Sequence, residues 1–311
     1  MSKHNLPVHT DWMSKLSADL CSKPLVELGI PGSHNSFTYF EDVNLSKAND
    51  QPEWLRKLDN PFVRKIVYNW SVCQELTVID QLTFGIRYFD IRVSVPQQNP
   101  SEFRVVHGLY GKEISEVLLE VVQFLEEHRK EIVLLDFNHF YNFSIEKHSE
   151  LLGIILSLFG DKLCPFQNIQ NINLDFLWEK QYQLIVFYQA NNSYSNDLQL
   201  PPEFWPSTLI TSPWADTDNV DSLIPFLQTA LKERTKEKFF VTQGILTPKM
   251  KDIITRVSGN LKDSMAAPTT KKVSSWIQEN KSLYSNLNIV ICDFIDLSSF
   301  IETILNVNIG K

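Results

Sequence analysis

Short apolar runs of strand character alternate with amphipathic runs of helical period from about residue 25 to residue 305, and this alternation limits the fold more than any other feature. Strands are expected over 25–30, 85–92, 103–107, 131–139, 183–189, 238–243 and 288–293. Helices are expected over 11–20, 61–69, 113–128, 146–159, 174–180, 220–234, 248–261, 271–280 and 297–305, with 79–84 leading into the second strand. The best marked is 113–128, where Val117, Val121, Phe124 and Leu125 share a face. A polar, proline-punctuated stretch over 41–60 reads as a long loop with some helix. Strand–helix alternation of this kind makes a parallel α/β sheet. No linker, repeat or shift in composition divides the 311 residues, so one domain is expected over 1–311. Neither a Gly-x-Gly-x-x-Gly nor a Walker sequence follows a strand, which removes the nucleotide-binding open sheets. Polar residues near strand C-termini favour a single irregular (β/α) barrel, with its chemistry at that end.

Charge narrows the partners. The net charge of −8 argues against a broad nucleic-acid surface, and an acidic chain gains little from anionic lipid by charge alone. Cys21, Cys73, Cys164 and Cys292 lie far apart without metal-ligand spacing, and the last three sit among apolar residues as thiols of a reducing compartment. The first fifteen residues lack the apolar core of a secretory signal, and no apolar run approaches the roughly 18 residues of a membrane span. A cytoplasmic location is the expectation.

Several strands carry polar residues that are costly to bury unless paired or placed in a site. The first runs into Ile30-Pro31-Gly32-Ser33-His34-Asn35-Ser36, where Pro-Gly is expected to end the strand and present an imidazole. In the second, Tyr88, Asp90 and Arg92 share one face and Phe89, Ile91 and Val93 the other. The third ends at His107, Asp136 and Asn138 share a face of the fourth, and Asp293 ends the apolar run over 289–292. An internal salt-bridge network, such as Asp90 with Arg92, would account for part of this. Two strand-end histidines with an arginine between them in sequence also suit phosphodiester transfer: one imidazole as base, one as acid, a guanidinium on the phosphate.

Ile30-Pro31-Gly32-Ser33-His34, Gly85-Ile86-Arg87-Tyr88-Phe89-Asp90-Ile91-Arg92 and Val106-His107-Gly108 resemble the three signature elements of phosphatidylinositol-specific phospholipase C X domains. Asp136-Phe137-Asn138-His139-Phe140, Trp178-Glu179-Lys180 and Cys292-Asp293-Phe294 are similar to the small stand-alone eukaryotic X-domain-containing proteins, and the resemblance runs over about 11–308. It implies a distorted TIM barrel that cleaves phosphatidylinositol at a membrane surface to diacylglycerol and a cyclic inositol phosphate. His34 would be the general base, oriented by Asp293, and His107 the general acid. Arg92 would hold the phosphate, with Asp90 organising the polar site around it. Asn35 stands where the bacterial enzymes have an aspartate supporting the acid, so it is expected to orient His107, and Asn35→Asp is expected to raise turnover. Asn138 falls at the basic residue of the bacterial head-group pocket and Tyr188 near its arginine. Trp214 is a candidate to stack on the inositol ring. Arg92 takes the place of an acidic calcium ligand, so no metal or other cofactor is expected. Aromatics at Phe37, Tyr39 and Phe40, at Phe140, Tyr141 and Phe143, and at Trp205 and Trp214 are expected on a membrane-facing rim. His4, His9, His128 and His148 read as surface residues, and His139 as facing away from Asn138. Rival readings are an inositol-phosphate-binding barrel with little turnover and a glycerophosphodiesterase-like barrel; the His-Arg-Gly and Glu-x-Asp elements of the latter are absent.

Overall fold

The innermost strand of the sheet is Ile30–Ser33 (β1), so the Pro-Gly pair lies inside a strand, while Leu25–Glu27 before it forms a 3-10 turn. Gly32 is required there by its neighbours: a Cβ would lie 2.8 Å from the Tyr88 ring and 2.9 Å from Ile291. The computed structural model describes residues 7–58, 60–190 and 198–310. Its remaining strands are Tyr88–Ser94 (β2), Arg104–His107 (β3), Leu109–Glu113 (β4), Val133–Tyr141 (β5), Leu184–Tyr188 (β6), Phe204–Trp205 (β7), Ile210–Thr211 (β8), Phe239–Gln243 (β9) and Ile289–Cys292 (β10). The order β7-β6-β5-β2-β1-β10-β9-β8 is parallel throughout. The end strands β7 and β8 do not pair with each other, so the sheet curls into an irregular barrel that hydrogen bonds do not close. An antiparallel hairpin, β3–β4, hangs from β2.

The helices are Ala18–Cys21 (α1), Glu53–Lys57 (α2), Pro61–Ser71 (α3), Val78–Phe84 (α4), Ile114–Glu127 (α5), Ile145–Phe159 (α6), Leu174–Lys180 (α7), Val220–Glu233 (α8), Met250–Thr255 (α9), Ala267–Glu279 (α10) and Phe300–Ile309 (α11). Three departures from the expected elements have local causes. The helix over 11–20 is broken into Met13–Lys15 and α1, with Ser17 extended between them. The helix over 248–261 shrinks to the six residues of α9; Arg256 leaves helical geometry before Gly259. Residues 109–113, of which only the last fell in an expected element, form the strand β4, because Gly108 at φ 70° turns the chain back on β3.

Strand alternation divides the core in two. Ile30, Leu134, Ile185, Phe187, Trp205, Phe239, Val241, Ile289 and Ile291 fill the barrel interior. Phe89, Ile91, Val93, Leu135, Phe137, Val186, Tyr188, Val290 and Cys292 pack outward against the helices. At the base, the wholly buried Arg87 pairs with Glu131 at 2.8 Å. Buried ions of this kind persist when their remaining valences are filled. Glu131 also accepts from Met13 N–H, and Arg87 donates to the carbonyls of Leu82 and Ile86, which tie the N-terminal segment and α4 to the barrel floor.

Candidate active site

At the C-terminal end of the strands a cavity of about 700 Å³ is lined by His34, Cys73, Asp90, Arg92, His107, Asp136, Asn138, His139, Gln189, Trp214 and Asp293, among others. β1 delivers His34 at its end, and the chain then turns through Asn35 at φ 42°, a left-handed conformation that asparagine tolerates. The turn aims Asn35 N–H at Asp90 Oδ2, 2.8 Å away, while Ser36 Oγ accepts from Asp90 N–H. β1 and β2 are thereby locked together beside the histidine.

His34 Nδ1–H donates to Asp293 Oδ1 at 2.6 Å, and Nε2 lies 3.8 Å from Asp90 Oδ2. Burial opposes a charge on this ring, but Asp293, helped by Cys73 and Asp90, outweighs it and raises the pKa from 6.5 to about 9. His107 differs. Its Nδ1–H donates to the Ser71 carbonyl at 2.8 Å, which leaves Nε2 for a substrate. Burial and the neighbouring Arg92 depress its pKa, against Asp50, the Ser71 carbonyl and Asp293. At neutral pH the two imidazoles therefore differ in charge: His34 is cationic and His107 neutral.

Asp90 lies below the usual carboxylate range: burial works to raise it, but His34 and Arg92, with hydrogen bonds from Asn138 and Asn35 N–H, prevail. The Asp90–Arg92 ion pair that an internal salt-bridge network would contain is not among the ion pairs of the described residues. Arg92 Nε is buried without a hydrogen-bond partner among them, and Tyr141 lies against the guanidinium.

Asn35 is not where its expected role requires. Its Nδ2 lies 3.2 Å from His34 Nε2 and 3.5 Å from Cys73 Sγ, so the amide serves His34, and His107 is oriented by Ser71 instead. Asn35 Oδ1 is buried without a partner among the described residues. An amide suits both states of this ring: Nδ2 donates to the neutral Nε2, and turned over, Oδ1 accepts from the imidazolium.

Tyr188 is not in the cavity. It points outward on β6, packs against Phe140 and Phe204, and its hydroxyl meets His148 Nδ1 at 2.8 Å. The next residue, Gln189, reaches inward and donates to Asp136 at 2.6 Å. His148 is accordingly core and not surface, while His9 is half-buried and His128 pairs with Asp11 at 2.8 Å. His4 lies outside the described residues. Asn138 is in place and donates to Asp90. His139 lines the cavity beside it, contrary to strand alternation, because the β2–β5 register slips: Ile91 faces Phe137 but Arg92 faces His139. A bulge of this kind puts consecutive residues on one side.

Asp136 was legible in the sequence as a polar strand residue but not as part of the site. It accepts from Tyr88 O–H at 2.5 Å, and burial, despite that bond, raises its pKa from 3.8 to about 7. Cys73 carried no sequence signal, having neither motif nor spacing. Its Sγ sits 3.5 Å from His107 Nδ1 and close to His34. His34, Cys73 and Asp293 are the one group among the described residues with ligand atoms near enough for a metal. The short Nδ1–Oδ1 hydrogen bond already satisfies two of the three, and the set offers one carboxylate where calcium takes six to eight oxygens.

Most aromatics expected on the rim are folded inward: Phe37, Tyr39, Phe40 and Trp205 are buried, and Phe140 and Phe143 pack on the core. Trp214 is exposed at the cavity mouth, its indole N–H donating to Thr247 at 2.9 Å. The apolar rim comes from other residues. Trp54 and Leu58, and Met250, Ile254 and Val257, are exposed and line the same cavity.

No family model matches the chain. The curated relatives include PI-PLC X domain-containing protein 3 of Mus musculus, 36% identical over 303 residues, with 96% of this chain and 93% of the relative covered. PI-PLC X domain-containing protein 2 of Homo sapiens is 40% identical over 262 residues, with 83% and 84% covered. Among solved structures, the phosphatidylinositol-specific phospholipase C from Listeria monocytogenes superposes with a TM-score of 0.65 at 18% identity, over 98% of this chain and 99% of that one. The enzyme of that name from Staphylococcus aureus gives 0.65 at 18%, over 97% and 98%. The barrel is thus of the bacterial phospholipase C type, and the chain belongs to the PI-PLC X domain-containing proteins.

Proposed function

We propose that the chain is a phosphodiesterase that cleaves phosphatidylinositol to diacylglycerol and a cyclic inositol phosphate. The observation that carries this is one cavity that brings His34 and His107, from separate strand ends, together with Arg92, and in which Asp293 backs His34 at 2.6 Å. In the minor protonation form, with His34 neutral and His107 protonated, His34 Nε2 takes the proton of the inositol hydroxyl as its oxygen attacks phosphorus, and Asp293 stabilises the imidazolium that forms. Arg92, with an unused Nε–H, donates to the nonbridging oxygens. His107 protonates the departing diacylglycerol oxygen through Nε2. Each proton transfer contributes about 10²–10⁴ in rate.

The cavity lining suits an inositol without further phosphates. Arg92 is the one arginine or lysine among the described residues that line the cavity, which matches the single charge of the diester, while Asp136, Asn138, Gln189 and Gln243 suit hydroxyls. The apolar rim formed by Trp54, Leu58, Met250 and Ile254 docks the mouth against a bilayer, so that the head group enters while the acyl chains stay in lipid. An acidic chain with such a rim attaches through apolar insertion rather than charge, peripherally and transiently.

Product analysis on phosphatidylinositol vesicles, with and without chelator, tests this reading. The expected result is cyclic inositol phosphate in both arms, abolished in His34→Ala and in His107→Ala. Activity that appears only with calcium would assign the phosphate contact to a metal rather than to Arg92. Binding of inositol phosphates without any product would make the barrel a receptor.

A further inference from the structure

The acid of the proposed reaction, His107, is the less well supported of the two imidazoles. Asn35 does not reach it, and Ser71 offers it a neutral carbonyl. The polar stretch over 41–60, expected as a long loop with some helix, is fastened to the turn that carries His107. Lys47 bridges Leu109 in antiparallel fashion, Ala48 N–H donates to the Gly108 carbonyl, and Tyr110 N–H to the Ser46 carbonyl. Gly108 N–H donates to Asp50 Oδ2 at 2.6 Å. No side chain can replace hydrogen at Gly108, where φ is 70° and a Cβ would lie 2.1 Å from Ser71 Oγ. The second oxygen, Asp50 Oδ1, is buried with no hydrogen-bond partner among the described residues. One bond to a backbone amide leaves most of a carboxylate's charge unspent, and desolvation strengthens its field on neighbours.

We propose that Asp50 is a positioning residue for His107: it fixes the turn that presents the imidazole and supplies the negative charge that lets His107 hold the proton it later donates. This rests on the phosphodiesterase reading. The charged and titratable groups around His107 are Arg92 from β2, Cys73 after α3, Asp293 after β10, and Asp50. Arg92 opposes protonation of His107, and Asp50 is the foremost group favouring it.

Titration of the histidine ring signals by NMR in the full-length chain measures the effect without substrate. Asp50→Asn keeps an oxygen for Gly108 N–H and removes only the charge. It should move the His107 midpoint to more acid pH by about half a unit or more, with His34 moving less. Asp50→Ser, a second neutral variant that retains an acceptor, should do the same, and Asp50→Glu should recover part of the shift. On phosphatidylinositol vesicles the kcat/KM plateau of Asp50→Asn should fall by the factor equal to that shift, about threefold for half a unit. A His107 midpoint unmoved in a folded neutral variant overturns the proposal. So does a shift without the matching fall in an active enzyme. If wild type makes no product, the phosphodiesterase reading fails by itself, while the NMR midpoints still report whether Asp50 sets the proton affinity of His107.

Discussion

His34 and Asp293 are both nearly sealed from solvent, and the His34 imidazolium depends on Asp293 for its charge. Removing one partner of such a pair leaves an uncompensated buried ion, and His34→Ala should cost about 3 kcal/mol in urea unfolding; His107→Ala, which leaves no buried carboxylate alone, should cost less. Because the His34 pKa is raised in the folded chain, its contribution to stability is fully present below pH 6.5 and is lost as pH rises to about 9. The wild-type melting temperature should fall across that window more steeply than that of His34→Gln. Activity carries the same signature. A base with a pKa near 9 beside an acid below 6.5 gives a flat kcat/KM between the two values and a fall above about pH 9. Asp293→Asn should draw that alkaline limb to lower pH; a limb that stays in place would separate Asp293 from the base. Asn35→Asp, expected from the resemblance alone to help, should instead slow turnover. A carboxylate can only accept, so it would join Asp90 and Asp293 in holding His34 protonated.

At the scale of elements, β1 shows how much a short strand can decide. It pairs with β2 and β10 at once, and Gly32 lets Tyr88 and Ile291 close over it. Gly32→Ala overpacks that junction and should cost about 1–3 kcal/mol. Since the Tyr88 hydroxyl also holds Asp136, the displaced ring should lower kcat in a variant that remains folded; unchanged kcat would mean that β2 absorbs the strain without moving the site. Most strands were legible from their apolar runs, because a parallel strand is covered on both faces. Element ends were less so. The second strand of the β3–β4 hairpin gave no signal of its own, as its existence depends on one left-handed glycine packed against Ser71 of α3.

Across the whole molecule, the apolar residues around the cavity mouth come from two separated helices, α2 and α9, with Leu58 and Val257 just beyond them. Ile254 is 67% exposed and Trp54 55%. Replacing both by serine should weaken binding to phosphatidylcholine vesicles and slow cleavage of vesicle substrate by tenfold or so, about the effect of withdrawing one or two apolar side chains from lipid. Hydrolysis of a soluble inositol cyclic phosphate should be unchanged; an equal loss on both substrates would place these residues in the site rather than at the membrane. The sequence alone determined the parallel α/β barrel, because strand and helix periods are local properties of the chain. It also marked His34, Asp90, Arg92, His107 and Asp293, since polar groups at the ends of apolar strands have few places to go. Only the tertiary structure decided which histidine Asn35 attends, that a one-residue slip against β2 turns His139 inward, that Tyr188 faces the helices, and that Cys73 and Asp50 stand beside the imidazoles. These facts follow from register and from contacts between segments tens of residues apart, and the periodicity of a single segment carries neither.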